Sequence, residues 1–255
     1  MCLIAFAWRA HPRYELVVAA NRDEFHARPA EPAGFWSDAP QVYAGRDLQA
    51  GGAWCGMHSD GRFAAVTNYR DARPDRGERS RGDLVAGFLK APATTRDFAE
   101  AVQAGRDRYG GFNLLLADAD DMFYLSNRHP GGITGVKPGI HALSNGVLGD
   151  RWPKTERAIS GLQSALAGDQ ADTQELLTLL ADRRPAPDEA LPDTGVGLPA
   201  EQVLSPIFVK TPDYGTRAST VILKDIDGGV RFIEVRYNAQ AEVVGRQDEQ
   251  WQITQ

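Results

Sequence analysis

Two apolar runs, Cys2–Trp8 (CLIAFAW) and Tyr14–Ala20 (YELVVAA), open the chain with only Arg9–Arg13 between them. β-prone runs joined by so short a segment, itself containing His11-Pro12, read as adjacent strands in a hairpin. Asn21-Arg22-Asp23-Glu24 follows at once, so four polar side chains are expected where the second strand ends. Arg28–Leu48 carries several prolines and reads as an irregular loop with short extended pieces. Two more strands are predicted at Gly51–Gly56 and Arg62–Tyr69 (RFAAVTNY), joined around Ser59-Asp60-Gly61, whose Asp-Gly pair marks a tight turn.

Helical spacing of apolar residues follows. Ser80 is placed to cap a helix from about Gly82 to Lys90, and Thr95 another from about Asp97 to Tyr109. Strands are predicted again at Phe112–Ala117, Met122–Ser126 and Ile140–Ser144, before helices at about Pro153–Ala167 and Thr173–Asp182. Arg183–Pro199, rich in proline and acidic residues, reads as a surface excursion and a candidate lid. The last third predicts strands at Ser219–Ile226 and Gly229–Tyr237, joined by Asp227-Gly228, and a short one near Trp251–Thr254. Strands at both ends with helices between them predict an α+β sheet sandwich flanked by helices. A length of 255 residues fits a single domain.

The net charge of −6 is spread over the chain, with no basic block able to neutralise a run of phosphates, which argues against nucleic acid as a partner. No stretch approaches the roughly 18 consecutive apolar residues of a membrane span, and Met1–Trp8 is not followed by a secretory cleavage pattern. A cytoplasmic location is expected. The two cysteines, Cys2 and Cys55, form no Cys-x-x-Cys and no paired framework, so neither a disulfide scaffold nor a structural zinc site is expected.

Cys2 stands directly after the initiator methionine. Removal of Met1 would put a thiol and a free α-amine on one residue, with ordinary pKa values of about 8.5 and 7.7–8.0, close enough for useful proton transfer. The plainer reading is a small apolar residue in a buried first strand. The polar cluster at Asn21–Glu24 favours chemistry, because a cation there would lower the thiol pKa and a carboxylate would orient the amine.

At this point the motifs align with a family. Met-Cys-Leu-Ile at the start, Ala-Ala-Asn-Arg-Asp-Glu-Phe at 19–25, Arg28-Pro29 and Gly-Gly-Ala-Trp-Cys-Gly at 51–56 resemble the NRDE-domain family, which includes the transport and Golgi organization protein 2 family. Ala-Val-Thr-Asn-Tyr at 65–69, Ser80-Arg81-Gly82, Gly-Gly-Phe-Asn-Leu at 110–114, Leu-Ser-Asn at 143–145 and Tyr-Gly-Thr-Arg at 214–217 continue the resemblance in order. That family in turn resembles the N-terminal-nucleophile hydrolases of the bile-salt hydrolase and penicillin V acylase kind, which implies a four-layer αββα sandwich. The resemblance implies site positions at Cys2, Arg22, Asp23, Asn68, Asn145 and Arg217. In that scheme Cys2 attacks an amide carbonyl, its own amine carries the proton, and Asn68 donates to the oxyanion. Asp23 and Asn145 hold the amine, and Arg22 and Arg217 favour the thiolate.

The same resemblance implies a second function, haem carriage, which needs an apolar cleft, a cation for the propionates and at most a weak axial ligand such as Cys2, His58 or His141. The expected partner is therefore a small-molecule substrate or haem, and hydrolysis itself requires no cofactor. His11, His26, His58, His129 and His141 lack metal-binding spacing and read as isolated histidines. Gly110-Gly111 and Gly131-Gly132 read as turns, and Trp8, Trp36, Trp54, Trp152 and Trp251 as core or pocket wall.

Overall fold

Apolar side chains recurring at every second residue need a partner layer on one face of each strand, and the chain supplies it with amphipathic helices. The computed structural model describes residues 2–72 and 77–253. Met1 and Thr254 lie outside the described residues. The elements run β1 (Cys2–Trp8), β2 (Tyr14–Phe25), β3 (Ala30–Trp36), β4 (Ala39–Asp47), β5 (Cys55–His58) and β6 (Phe63–Asn68). Then come α1 (Gly82–Lys90), α2 (Thr95–Ala104), β7 (Phe112–Ala117), β8 (Met122–Ser126), β9 (Thr134–Gly135) and β10 (Gly139–Leu143). The chain finishes with α3 (Pro153–Ala165), α4 (Thr173–Leu180), α5 (Leu198–Val203), β11 (Tyr214–Asp225), β12 (Gly229–Tyr237) and β13 (Val243–Gln252).

These elements divide into two compact units whose segments interleave along the chain. The first, residues 2–27, 70–72 and 138–250, holds a six-stranded sheet in the order β10-β1-β2-β11-β12-β13. Leu3, Ala5 and Ala7 of β1, Val17 and Ala19 of β2, and Val221 and Leu223 of β11 form one face, covered by Ala158 and Leu162 of α3 and Leu176 and Leu180 of α4. The second unit, residues 28–69, 77–137 and 251–253, holds a seven-stranded sheet running β3 to β9 in sequence order. Its core joins Val42, Ala64, Val66, Leu114 and Leu116 to Leu84, Phe88 and Leu89 of α1 and Ala99 and Val102 of α2. All the strand pairings described are antiparallel.

Several boundaries depart from the sequence reading. β2 does not end at Ala20 but runs through Asn21–Glu24 to Phe25, because β11 pairs with it along that whole length. The expected loop at Arg28–Leu48 is the hairpin β3–β4. Its prolines are tolerated because β3 is an edge strand, and the register slips between Glu31 and Gly34, around Pro32, where no ladder N–H is required. Thr94 rather than Thr95 caps α2, its hydroxyl accepting from the Asp97 N–H. α5 was unforeseen at the end of the excursion, which is tied down by Ala186 N–H donating to Ser205 Oγ at 3.0 Å and Thr194 N–H to Glu201 Oε1 at 3.1 Å. The last strand begins at Val243, earlier than expected.

Glycines in two of the motifs close the second unit. A Cβ on Gly52 would lie 2.5 Å from the Gly82 carbonyl carbon, and one on Gly111 3.1 Å from Tyr69 Cβ, so these positions serve close backbone approach.

Candidate active site

The β1–β2 register sets Cys2 directly opposite Arg22. Opposed residues of an antiparallel pair share a face and successive residues alternate, so Cys2 and Arg22 lie on the face away from α3 and α4, while Asn21 and Asp23 lie on the helix-covered face. The motif that looked like one polar cluster therefore serves both sides of the sheet.

Asn21 is fully buried and structural. Its Nδ2 donates to the carbonyls of Leu180 at 2.8 Å and Ile207 at 2.9 Å, and its Oδ1 accepts from Ser219 Oγ at 2.7 Å. Asp23, also buried, accepts from the Thr216 hydroxyl at 2.7 Å, and its carbonyl accepts from Tyr214 OH at 2.9 Å. Burial raises its carboxyl pKa, against the pull of Lys154, the Thr216 hydrogen bond and Arg70. Arg22 is 8% exposed, and its side chain makes no hydrogen bond or ion pair with another described residue.

Cys2 is 7% exposed and carries a free thiol. Burial pushes the thiol pKa up and the Asp23 charge adds to this, while the Asp23 backbone and the Arg22 charge pull it down. Ser144, just beyond β10, places its hydroxyl 3.3 Å from both the Cys2 carbonyl oxygen and Asn145 Oδ1. Asn145 is fully buried, and its carbonyl accepts from the Arg70 N–H at 2.7 Å.

Arg217 owes its direction to a break in the ladder. Thr216 pairs with Asp23 and Ala218 with Arg22, which leaves Arg217 as the extra residue of a β-bulge. Its Nη1 donates to the carbonyls of Phe25 at 3.0 Å and His26 at 2.9 Å, fixing the exit of β2. Burial and the Arg22 charge lower its pKa.

Five of the six predicted positions, Cys2, Arg22, Asp23, Asn145 and Arg217, thus belong to the first unit. Asn68 belongs to the second, where it ends β6 opposite Phe112. Sequence reasoning missed Thr216, Tyr214 and Ser144, each a motif residue or a neighbour of one. It also missed three buried charged residues. Arg70 pairs with Glu201 of α5, approaches Asn145 Oδ1 with Nη2 at 3.5 Å and lies over the Trp152 ring at 4.9 Å. Lys154 of α3 donates from Nζ to the Leu204 carbonyl at 3.0 Å. Its signal was available, since Lys154 shares helical spacing with the buried Ala158, Leu162 and Ala165, where a lysine is unexpected.

The histidines are held locally. His11 contacts the Gly168 carbonyl, His26 the Thr211 carbonyl, His58 pairs with Asp60 at 2.9 Å, His129 Nδ1 accepts from the Gly131 N–H, and His141 stacks on Phe6. Among the described residues no group of three or more His, Cys, Asp or Glu side chains is arranged to hold a metal ion, and no helix is long and apolar enough to cross a membrane.

Residues 1–239 match the family model described as Transport and Golgi organisation 2. The chain is 36% identical over 285 residues to the Transport and Golgi organization protein 2 homolog of Bos taurus, covering 100% of this chain and 97% of that protein. It is 34% identical over 255 residues to the homolog of Homo sapiens, covering 92% of each. Among solved structures it is similar to the Caenorhabditis elegans ortholog of N-acylethanolamine-hydrolyzing acid amidase, with a TM-score of 0.53 and 12% identity over 87% of this chain and 92% of that one. It is also similar to the C2A mutant of conjugated bile acid hydrolase from Clostridium perfringens, with a TM-score of 0.52 and 10% identity over 100% and 97% of the two chains. At such identities the likeness speaks for the fold alone, the α+β sandwich of the N-terminal-nucleophile hydrolases. The breadth of the family match and the identity to the bovine homolog establish that the chain belongs to the Transport and Golgi organisation 2 family.

Proposed function

We propose that this protein is a cysteine amidohydrolase acting on a small acyl-amide. The observation that carries the reading is the pairing of Cys2 with Arg22 across β1 and β2, which puts the thiol and the guanidinium on one face of the sheet. Once Met1 is removed, the Cys2 amine takes the thiol proton and the sulfur adds to the carbonyl carbon. The amine returns the proton to the leaving nitrogen, the C–N bond breaks, and water then cleaves the thioester to release the acid. Asp23 and Asn145 orient the amine, and Arg22 and Arg217 stabilise the thiolate. The likeness in fold to an N-acylethanolamine-hydrolyzing acid amidase ortholog and to a conjugated bile acid hydrolase supports the same reading.

The two guanidinium groups of Arg22 and Arg217 support a second reading, in which the protein binds haem through its propionates without catalysis. One measurement separates the two. Intact mass spectrometry of protein from its native host, before and after a thiol-directed acylating probe, is expected to show loss of Met1 and a single adduct that is absent in Cys2→Ser. Retention of Met1 would sink the self-activated cysteine. A haem titration with a stoichiometric absorbance change lost in Arg22→Met would then favour carriage.

A further inference from the structure

The Tyr-Gly-Thr-Arg motif at 214–217 grips the end of β2 with three side chains. Tyr214 OH donates to the Asp23 carbonyl at 2.9 Å, and Arg217 donates to the carbonyls of Phe25 and His26. Those bonds hold backbone. Thr216, directly opposite Asp23 in the ladder, reaches the carboxylate instead, its hydroxyl donating to Oδ1 at 2.7 Å. The same hydroxyl accepts from the Val209 N–H at 2.9 Å, while the Thr216 N–H donates to the Val209 carbonyl at 2.9 Å. Gly215 permits that approach, because a Cβ there would lie 2.7 Å from the Val209 carbonyl oxygen.

A peptide N–H can only donate, so the bond from Val209 makes the Thr216 hydroxyl an acceptor on that side and leaves its single proton for Oδ1. Thr216 is 1% exposed, and a proton on Oδ1 of Asp23 would leave the hydroxyl hydrogen buried without an acceptor among the described residues. The three groups form a one-way chain, from Val209 N–H to hydroxyl to carboxylate, in which each bond polarises the next. We propose that Thr216 is a positioning residue for Asp23: its oriented hydroxyl locks the carboxyl in one rotamer and reserves Oδ1 as an acceptor, so that the Cys2 amine meets Oδ2. The meeting with the amine rests on the hydrolase reading; the chain from Val209 to Asp23 does not. The titratable groups facing Asp23 are Cys2 of β1, Tyr214 of β11, Arg70, and Lys154 of α3, all of which stay as they are in Thr216 variants.

The test is carboxyl 13C NMR of aspartate-labelled full-length protein, with the Asp23 signal assigned by its loss in Asp23→Asn. The Thr216 bond opposes the upward pull of burial on the Asp23 carboxyl. Thr216→Val keeps the shape and deletes the hydroxyl, and should raise the Asp23 midpoint by about one pH unit. Thr216→Ser deletes the methyl and keeps both hydrogen bonds, and should return the midpoint to the wild-type value. A residue that only filled space would show the opposite order, with valine harmless and serine not. Should Thr216→Val fail to fold, the wild-type protein carries the test: the Thr216 hydroxyl proton should exchange slowly, show a cross-peak to the Val209 amide and shift across the Asp23 titration. An Asp23 midpoint unmoved in Thr216→Val, or a hydroxyl proton that exchanges as fast as that of an exposed threonine, overturns the proposal. In protein that has lost Met1, the midpoint of the Cys2 amine should fall in Thr216→Val. An amine that stays unmoved while Asp23 shifts would count against the hydrolase reading and leave the Thr216 lock standing.

Discussion

Each sheet of the molecule buries a polar cluster, and the two clusters are built on opposite principles. In the second unit Asn113 on β7 donates to the Thr67 hydroxyl at 3.1 Å and accepts from Tyr124 OH at 2.7 Å. All three are neutral and on neighbouring strands, so each hydrogen bond offsets the desolvation of its partner. In the first unit the buried groups around the start of β1 are charged: Arg22, Asp23, Arg70, Lys154 and Glu201. Arg70 and Glu201 form a close pair there, Asp23 accepts from Thr216, and Lys154 donates to a carbonyl. A neutral, reciprocal network is what stability alone selects. Charges buried in apolar surroundings cost stability, so the first unit's cluster is the more expensive of the two.

The largest effect should come from breaking the one closed ion pair. Glu201→Gln leaves the Arg70 guanidinium buried without its carboxylate and should cost about 3–5 kcal/mol, read as a fall in the urea midpoint at unchanged slope. A loss below about 1 kcal/mol would mean that the pair is effectively solvated, and the contrast between the two clusters would fail.

Next in size is a pH effect. The folded-state pKa of Lys154 lies near 8 against 10.5 for the free side chain. The unfolded chain therefore binds more protons than the folded one between these values. The cost is full below pH 8 and is relieved as pH rises towards 10.5, so stability should increase by about 3 kcal/mol across that window. Lys154→Met should abolish the rise. The neutral triad of the second unit predicts no such slope, and Asn113→Leu, which removes the acceptor of Tyr124 and the donor to Thr67, should cost about 1–3 kcal/mol at any pH from 6 to 10.

How much of this was legible in the sequence follows from the same contrast. Strand pairs with strong alternation and tight turns were placed well: β1, β7, β8, β12 and α1 have the predicted bounds. The failures are tertiary. Polar Asn21–Glu24 cannot be read as strand, because what makes it strand is β11 pairing with it from almost two hundred residues away. β3 and β4 were hidden by Pro32, which an edge strand tolerates, and by Pro40, which lies outside the paired registers of β4. Five site positions were visible through motifs, yet the motif could not reveal that adjacent Arg22 and Asp23 face opposite sides of the sheet, nor that Asn21 is a structural tie. Lys154, Arg70 and Glu201 lie outside the quoted motifs; helical spacing marks Lys154, and only burial marks the other two.

The smallest effect has the sharpest sign. Arg22→Met replaces a buried cation that lacks a hydrogen bond or ion pair among the described residues with an apolar side chain of similar length. Most substitutions at a residue 8% exposed destabilise, but here the desolvation of a charge is relieved without orphaning an anion. Stability should stay level or rise by up to about 1 kcal/mol, whereas the rate of Cys2 alkylation at neutral pH should fall, because a cation that lowers the thiol pKa has gone. A stable, unreactive variant is the signature of a residue kept for chemistry. If Arg22→Met instead lost as much stability as Glu201→Gln, Arg22 would be as structural as Arg70, and the first unit's charges would form one scaffold rather than a site.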